Sequence, residues 1–377
     1  MKNAIFGFIS CVLAMLVIGI VMLFSTGAFA TDAHGDPTYF IKRQSLWLGI
    51  GLVICLIVSF IDYQLWQRYW KVVFGAAILL LALCYVFPPI NGSHRWLRFG
   101  PFSFQPSEIG KIAVIAFIAQ WFSRHSKESG EFLKGFVYPI AVSCIILALI
   151  AFEEDLGATA LIGAAMVVTM FLAGSNIIYL GISAMGGIAG ILTIAWLMPD
   201  RVHRLLAFRD LDAYKQGSGL QQYQGLIAFG SGGVEGLGLG NGRQKMEFLP
   251  FAHTDFIFPM IGEELGLTFT LAIVFCYLVL VICGITIAMN ASDRFGALFG
   301  SGLIFLIALQ AAINIGVTTA LLPNKGIPLP FISYGGSNML FCLLAVGIIL
   351  NIYRQGVTKP PKPALTKLSS TRVLTRI

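Results

Sequence analysis

The chain has 377 residues, 57% of them hydrophobic and 11% charged, with a mean hydropathy of +0.83. Soluble domains carry roughly a quarter charged residues, so this composition excludes a soluble globular protein. A helical span needs about 20 apolar residues, and the chain is long enough for many.

In chain order the apolar runs predict ten spans: Ile5–Phe24, Leu46–Ile61, Val72–Phe87, Ile109–Phe122, Phe136–Phe152, Ala158–Ala173, Ile177–Leu197, Leu267–Ala288, Gly296–Val317 and Met339–Tyr353. The fold class is therefore an all-α polytopic integral membrane protein. About ten transmembrane helices are expected, with a large extracytoplasmic loop, residues 198–258, between helices seven and eight. Residues 1–353 form one transmembrane domain, and residues 354–377 read as a basic, disordered cytoplasmic tail near anionic headgroups. The first run, flanked by Lys2 and Ala28-Phe29-Ala30, has the outline of a signal peptide. Its apolar stretch exceeds the usual 7–15 residues, which favours a retained helix. The fourth run holds Gln120 and is short, as a tilted or half-buried helix would be.

Counting Lys and Arg in short loops puts thirteen on the side of the two termini. Five lie opposite: Lys42, Arg43, Arg95, Arg98 and Lys325. Both termini are thus expected in the cytoplasm, with the long loop outside. Six cations in that loop are matched by six carboxylates, so the formal net charge of +7 has its excess on the cytoplasmic side and does not point to nucleic acid. All seven cysteines fall within spans without CxxC spacing, and the five histidines are scattered. Small core residues explain the cysteines better than a disulfide or metal framework, and no metal cluster is visible.

The outward loops carry the candidate chemistry. The first reads NGSHRWLRFGPFSFQPSEIGKIAVI, and Gly92, Gly100 and Pro101 mark it as a folded turn structure rather than a strand or helix. Ser107 is a plausible helix cap, which places Glu108 and Lys111 on one helical face as either a local ion pair or a functional pair in a cavity. Arg95, Trp96 and Arg98 suit phosphate and sugar contact, and equally an anchor at headgroup level. Next, Glu153, Glu154 and Asp155 crowd one short turn, which raises at least one carboxyl pKa unless cations or a metal compensate; Asp155 could also cap the sixth helix.

Residues 230–242 are glycine-rich, but no strand precedes them and no Gly-Lys-Ser/Thr follows, so close backbone packing is expected rather than nucleotide binding. Leu220–Phe229 reads as an interfacial amphipathic helix. The last outward loop, LLPNKGIPLPFISYGGSNML, cannot be a regular helix; Lys325, Ser333 and Tyr334 would face a wet cavity there. Neighbouring Gln310 and Asn314 either join that cavity or serve as hydrogen-bond glue between helices, the more common role. The stretch FAHTDFIFPMIGEEL places Asp255 where the long loop meets the membrane. Partial desolvation there would make its carboxylate hold a proton more tightly, as a general base must.

Four segments, GSHRWLRFGPFSFQPSE, EEDLGAT, GSGGVEGLGLGNGRQKMEFLPFAHTDFIFPMIGEELG and PLPFISYGGS, occur in the order and spacing of the SEDS family (shape, elongation, division, sporulation). The chain resembles that family's FtsW/RodA type over nearly the whole membrane region, with a lean toward the FtsW-like branch. The resemblance implies a peptidoglycan glycosyltransferase. It would polymerise lipid II at the outer face of the bacterial cytoplasmic membrane, for division or elongation, and release polyprenyl diphosphate. The implied partners are a class B penicillin-binding transpeptidase, other divisome or elongasome membrane proteins, and membrane lipids.

Carried over by position, Asp255 is the implied catalytic residue. The implied substrate-binding set is Arg95, Trp96, Glu108, Lys111, Asp155, His253, Lys325 and Ser333. Three positions depart from the family pattern: Glu154 replaces a usual proline, Phe251-Ala252 a usual Glu-then-small pair, and Asn324 a usual threonine. No cofactor is implied with certainty; a divalent cation, Mg or Mn, is one source of positive charge for the leaving group, and Arg95, Lys111 and Lys325 are another. Two further classes fit the same loops: a lipid II flippase, and a non-catalytic divisome scaffold.

Overall fold

A computed structural model describes residues 1–27, 36, 38–88, 93–99, 102–196, 198–246 and 248–358. Among the described residues the regular structure is helical apart from one hairpin. Helices α1 (Lys2–Gly27), α2 (Tyr39–Phe60), α3 (Gln64–Arg68) and α4 (Trp70–Cys84) precede strands β1 (Leu97–Phe99) and β2 (Phe102–Phe104). Then come α5 (Ser107–Arg124), α6 (Tyr138–Phe152, entered through a π-helical turn at Leu133–Val137), α7 (Leu156–Leu172) and α8 (Ile177–Trp196). Helices α9 (Pro199–Arg209) and α10 (Leu220–Gly232) belong to the long loop, and α11 (Ile257–Met289), α12 (Arg294–Thr318) and α13 (Gly336–Thr358) complete the bundle.

Each expected span falls on a helix. Seven of these helices are long and apolar enough to cross a membrane, and α4 and α7 are shorter apolar helices. The fourth span is where the expectation changes. Helix α5 is not half-buried: 14 of its 18 residues are buried, because α4, α7 and α12 surround it. A helix enclosed on all sides needs no apolar stripe, which is why polar Glu108, Lys111 and Gln120 can sit among its alanines and isoleucines. Where the bundle meets lipid, the reverse holds: Ile177, Ile182, Met185 and Ile188 of α8 stand exposed, as do Phe269, Phe275 and Ile282 of α11.

Close approach fixes one central pairing. Helices α2 and α13 touch at Gly51 and Gly347, where an added Cβ would meet Leu343 and the Cys55 carbonyl, the latter at 2.7 Å. Small residues that let backbones approach are the usual cement of helices in lipid, where apolar surface gives no drive for association.

Three details differ from the sequence reading. The first outward loop contains an antiparallel hairpin, with Leu97 opposite Phe104 and Phe99 opposite Phe102, rather than turns alone; its Gly92, Gly100 and Pro101 lie outside the described residues. Helix α5 starts after Pro106 with no side-chain cap, and the Ser107 hydroxyl is buried without a hydrogen-bond partner among the described residues, so Ser107 is the first helical residue and not the cap. Helix α13 runs to Thr358, past the expected start of the tail at 354; the tail from 359 lies outside the described residues.

The glycine-rich loop does pack as backbone, and against a particular partner. Helix α11 is broken at Gly266, whose φ of 78° is the left-handed region that glycine alone adopts cheaply. The freed groups pair with the loop: Leu237 and Gly238 donate to the carbonyls of Glu263 and Glu264 (both 2.9 Å), and Leu267 donates to Gly233 (3.0 Å). A Cβ at Gly266 would lie 2.5 Å from the Gly236 nitrogen. Helix α10 turns Gln222 inward, where it donates to the Val317 and Leu322 carbonyls (2.8 Å each), while Leu226 and Ile227 face out.

Candidate active site

Four loops meet at one end of the bundle. Asp155 lies between them, at the start of α7, where its Oδ1 accepts from the Ala158 amide (3.1 Å) as an N-cap. Its other oxygen accepts from Gln105 of the hairpin loop (3.1 Å). Two cations flank the same carboxylate: Arg95 at 3.9 Å and Lys325, from the loop before α13, at 4.0 Å. Lys325 reaches across because residue 157 is glycine; a Cβ there would strike the lysine stem. Capping and charge pairing are thus both true of Asp155.

Asp255 sits half-buried two residues before α11, with its carboxylate directly over Gly326. Burial pushes its carboxyl up to about 6, against the pull of Arg95, Lys325 and Arg204, while Asp155 pushes the same way as burial. Neighbouring Glu153 is buried and pushed up to about 8, chiefly by loss of water and then by the Asp155 charge, with Arg95 opposing. Its Oε1 has no hydrogen-bond partner among the described residues. The crowded turn therefore does raise one carboxyl, and the cations keep Asp255 lower than its burial alone would. Glu154 takes φ 65°, a conformation closed to the proline usual at this place in the resembling family.

The other sequence candidates fall in three places. Trp96 is half-buried beside Arg95. Glu108 and Lys111 pair deep in the bundle: the ammonium lies 2.9 Å from both Glu108 oxygens and 3.0 Å from Gln310 Oε1, over the Phe341 ring. Three bonds use up its three donors, so Lys111 offers nothing to a leaving group. His253 and Ser333 hold loops. The His253 ring packs 4.2 Å from Phe40, and its carbonyl accepts from the Tyr334 amide (3.1 Å). Ser333 Oγ accepts from the Leu329 amide (2.8 Å) inside the Lys325–Tyr334 loop.

Sequence reasoning passed over Gln105, Gly157, Arg204, Gly326 and, as a titrating group of its own, Glu153. Their spacing from Asp255 along the chain gives no signal of contact. Gly326 is the sharpest of these. A Cβ at that position would sit 2.5 Å from Asp255 Oδ2, so Gly326→Ala must displace the carboxylate or its loop. A displacement on the order of 1 Å at a reacting group can cost 10²-fold. With Asp255 as the base that the resemblance implies, turnover lower by about that factor, with the folded yield unchanged, is the expected result of a polymerisation assay on Gly326→Ala.

Among the described residues no group of three or more His, Cys, Asp or Glu is placed to hold a metal. Asp155 is committed to a helix cap, a glutamine and two cations, so the donor set here does not fit a divalent ion and no step is derived through one.

The sequence matches the FtsW/RodA/SpoVE cell cycle protein family over residues 7–357. It is 38% identical over 350 residues to a protein of Geobacter metallireducens named as a probable peptidoglycan glycosyltransferase FtsW, covering 90% of this chain and 92% of that one. It is also 38% identical over 350 residues to the stage V sporulation protein E of Bacillus subtilis, covering 91% and 94%. Its fold is similar to a chain of a peptidoglycan synthase complex that coordinates polymerization and crosslinking, with a TM-score of 0.75, 25% identity, and 93% and 98% coverage. The rod shape determining protein RodA of Thermus thermophilus gives a TM-score of 0.67 at 25% identity, covering 92% and 96%. The chain is a multi-pass membrane protein that belongs to the FtsW/RodA/SpoVE family.

Proposed function

We infer that Asp255 is the general base by which this chain, a peptidoglycan glycosyltransferase, polymerises lipid II. The reading rests on one observation: a half-buried carboxylate raised to about 6 lies within electrostatic reach of three cations, Arg95, Lys325 and Arg204, two of which also flank a second carboxylate, Asp155. A general base works best when its pKa lies near the working pH, where it is ionised yet still basic.

In the proposed step Asp255 takes the proton of the acceptor sugar's 4-hydroxyl as that oxygen attacks the anomeric carbon of the lipid-linked glycan. A new C–O bond forms with inversion, the C–O bond to the diphosphate breaks, and the polyprenyl diphosphate carries away the electron pair. Arg95 and Lys325 supply positive charge where negative charge grows. Both are held off Asp155 at 3.9–4.0 Å, loose enough to exchange that carboxylate for phosphate oxygens. Arg204, exposed on α9, is a third cation within electrostatic reach of Asp255.

The charge count of the short loops supports an extracytoplasmic site and cytoplasmic termini in the cytoplasmic membrane, with α4, α5 and α7 completing ten crossings. A class B penicillin-binding transpeptidase is the proposed partner. Reconstitution of the purified chain in vesicles with lipid II, alone and with that partner, tests the reading. Glycan polymer is expected from the parent chain and none from Asp255→Ala. Lipid II crossing sealed vesicles without polymer would replace polymerase by flippase.

A further inference from the structure

We propose that Asn314 is a positioning residue that sets the base and its cation in register; the proposal rests on Asp255 being the base. Asn314 lies near the end of α12 and is 1% exposed. Its single amide nitrogen donates twice, to the backbone carbonyl of Asp255 at 2.8 Å and to that of Ile327 at 2.7 Å. Both partners are carbonyls that can only accept, so the amide can face them one way only. The two carbonyls belong to separate loops. One carries Asp255; the other carries Lys325 and Gly326, on which the Asp255 carboxylate rests.

The same loop is held from behind at three successive residues, over two adjoining peptide units. Ile327 O is taken by Asn314, Pro328 O by Gln310 (2.8 Å), and Leu329 N by the Ser333 hydroxyl (2.8 Å). Gln310 itself is oriented by Lys111, whose ammonium occupies its Oε1 at 3.0 Å. Only Asn314 reaches past that loop to the residue bearing the base. Its Oδ1, buried without a partner among the described residues, shows a side chain placed for its donors and not for a balanced network.

Interhelical glue would tie helix to helix. Here the bond runs from a helix to the backbone of the base, and a shift of that backbone shifts the distances from Asp255 to Lys325 and to the acceptor hydroxyl. Losing the clamp therefore slows turnover more than it weakens substrate binding, and it changes the cationic surroundings that hold Asp255 at its present pKa.

The experiment compares the full chain, Asn314→Leu, Asn314→Asp and Asp255→Ala in lipid II vesicles over a range of pH. Asn314→Leu removes both donors at similar size, and Asn314→Asp sets a further oxygen against two carbonyls. Each is expected to lower kcat by about 10- to 100-fold with KM little changed, and to move the acid limb of the pH profile. A second readout is independent of turnover: labelling of the Asp255 peptide by a hydrophobic carbodiimide, which takes protonated carboxyls, should change its half-maximal pH in both variants. Normal kcat and an unmoved acid limb in Asn314→Leu, with or without a lower melting point, overturn the clamp while Asp255→Ala stays inactive. Full activity in Asp255→Ala overturns the base, and the clamp falls with it.

Discussion

Asp255→Asn is expected to reduce polymerisation by about 10³-fold, since asparagine keeps the size of the side chain and cannot accept a proton, and general-base assistance contributes 10²–10⁴. The parent chain should show a bell-shaped dependence of kcat/KM on pH. Below about 6 Asp255 is protonated and the rate falls tenfold for each pH unit. Above about 8 Glu153 loses its proton, adding a negative charge beside Asp155 that competes with the diphosphate for Arg95. The window thus lies between about 6 and about 8. Glu153→Gln should remove the alkaline limb and leave the acid limb in place; an alkaline limb unchanged in that variant would detach Glu153 from the site.

The signs for the neighbours follow from who faces Asp255. Lys325 and Arg95 hold its pKa down, so Lys325→Met should slow turnover and also move the acid limb to higher pH. Asp155 holds it up, so Asp155→Asn should move that limb to lower pH. Opposite shifts from two substitutions on one cation–carboxylate pair are hard to obtain from general loosening of the fold. Steady-state rates across pH on the two variants distinguish these outcomes.

Much of this arrangement was legible in the sequence because membrane chemistry is sparse. With 11% charged residues, any ionisable side chain near a span is conspicuous, which is how Asp255, Asp155, Glu108 and Lys111 stood out. Periodicity and length placed the spans for the same reason. What the sequence concealed was contact between loops: Gly157 matters only because Lys325 crosses it, and Gly326 only because Asp255 lies over it. Burial was concealed too. Helix α5 looked weak as a span because it is short and its Gln120 was weighed against lipid, whereas α4, α7 and α12 enclose the helix and Lys111 reaches residues of α12 and α13. Ser107 carried the right residue type for a cap, yet the proline before it takes the helical φ and moves the boundary.

The glycine-rich loop was recognised as packing, but the reason for its composition lies in two consecutive glutamates. Glu263 and Glu264 are both fully buried, and the loop supplies what keeps them there. Glu263 accepts from the amides of Arg243 (2.8 Å) and Gln244 (3.2 Å), Glu264 from that of Gly240 (2.8 Å). A Cβ at Gly242 would lie 2.8 Å from Glu264 Oε1 and 2.9 Å from Glu263 Oε2, so only glycine lets the chain pass so close to both carboxylates. The loop is thereby fastened to the segment of α11 that begins just after Asp255.

One cation completes that fastening. Lys245 is buried, and its ammonium lies 2.7 Å from Glu264 Oε1, from Ser25 Oγ on α1 and from the Gly240 carbonyl, so α1, α11 and the long loop share one knot. Lys245→Met keeps the stem and removes the charge, leaving Glu264 buried with a hydroxyl and one amide. Removing one partner of a buried pair costs on the order of 3–5 kcal/mol, more than any exposed pair in this chain could. A fall of several degrees in the detergent melting midpoint is expected, with loss of polymerisation as the base loses its frame. Lys245→Met/Glu264→Gln should recover part of that midpoint, because the uncompensated carboxylate is gone. Ser25→Ala, which deletes one hydroxyl from the knot, should cost less than either single charge removal. An unchanged midpoint in Lys245→Met would mean that water reaches Glu264, and the knot would then hold nothing.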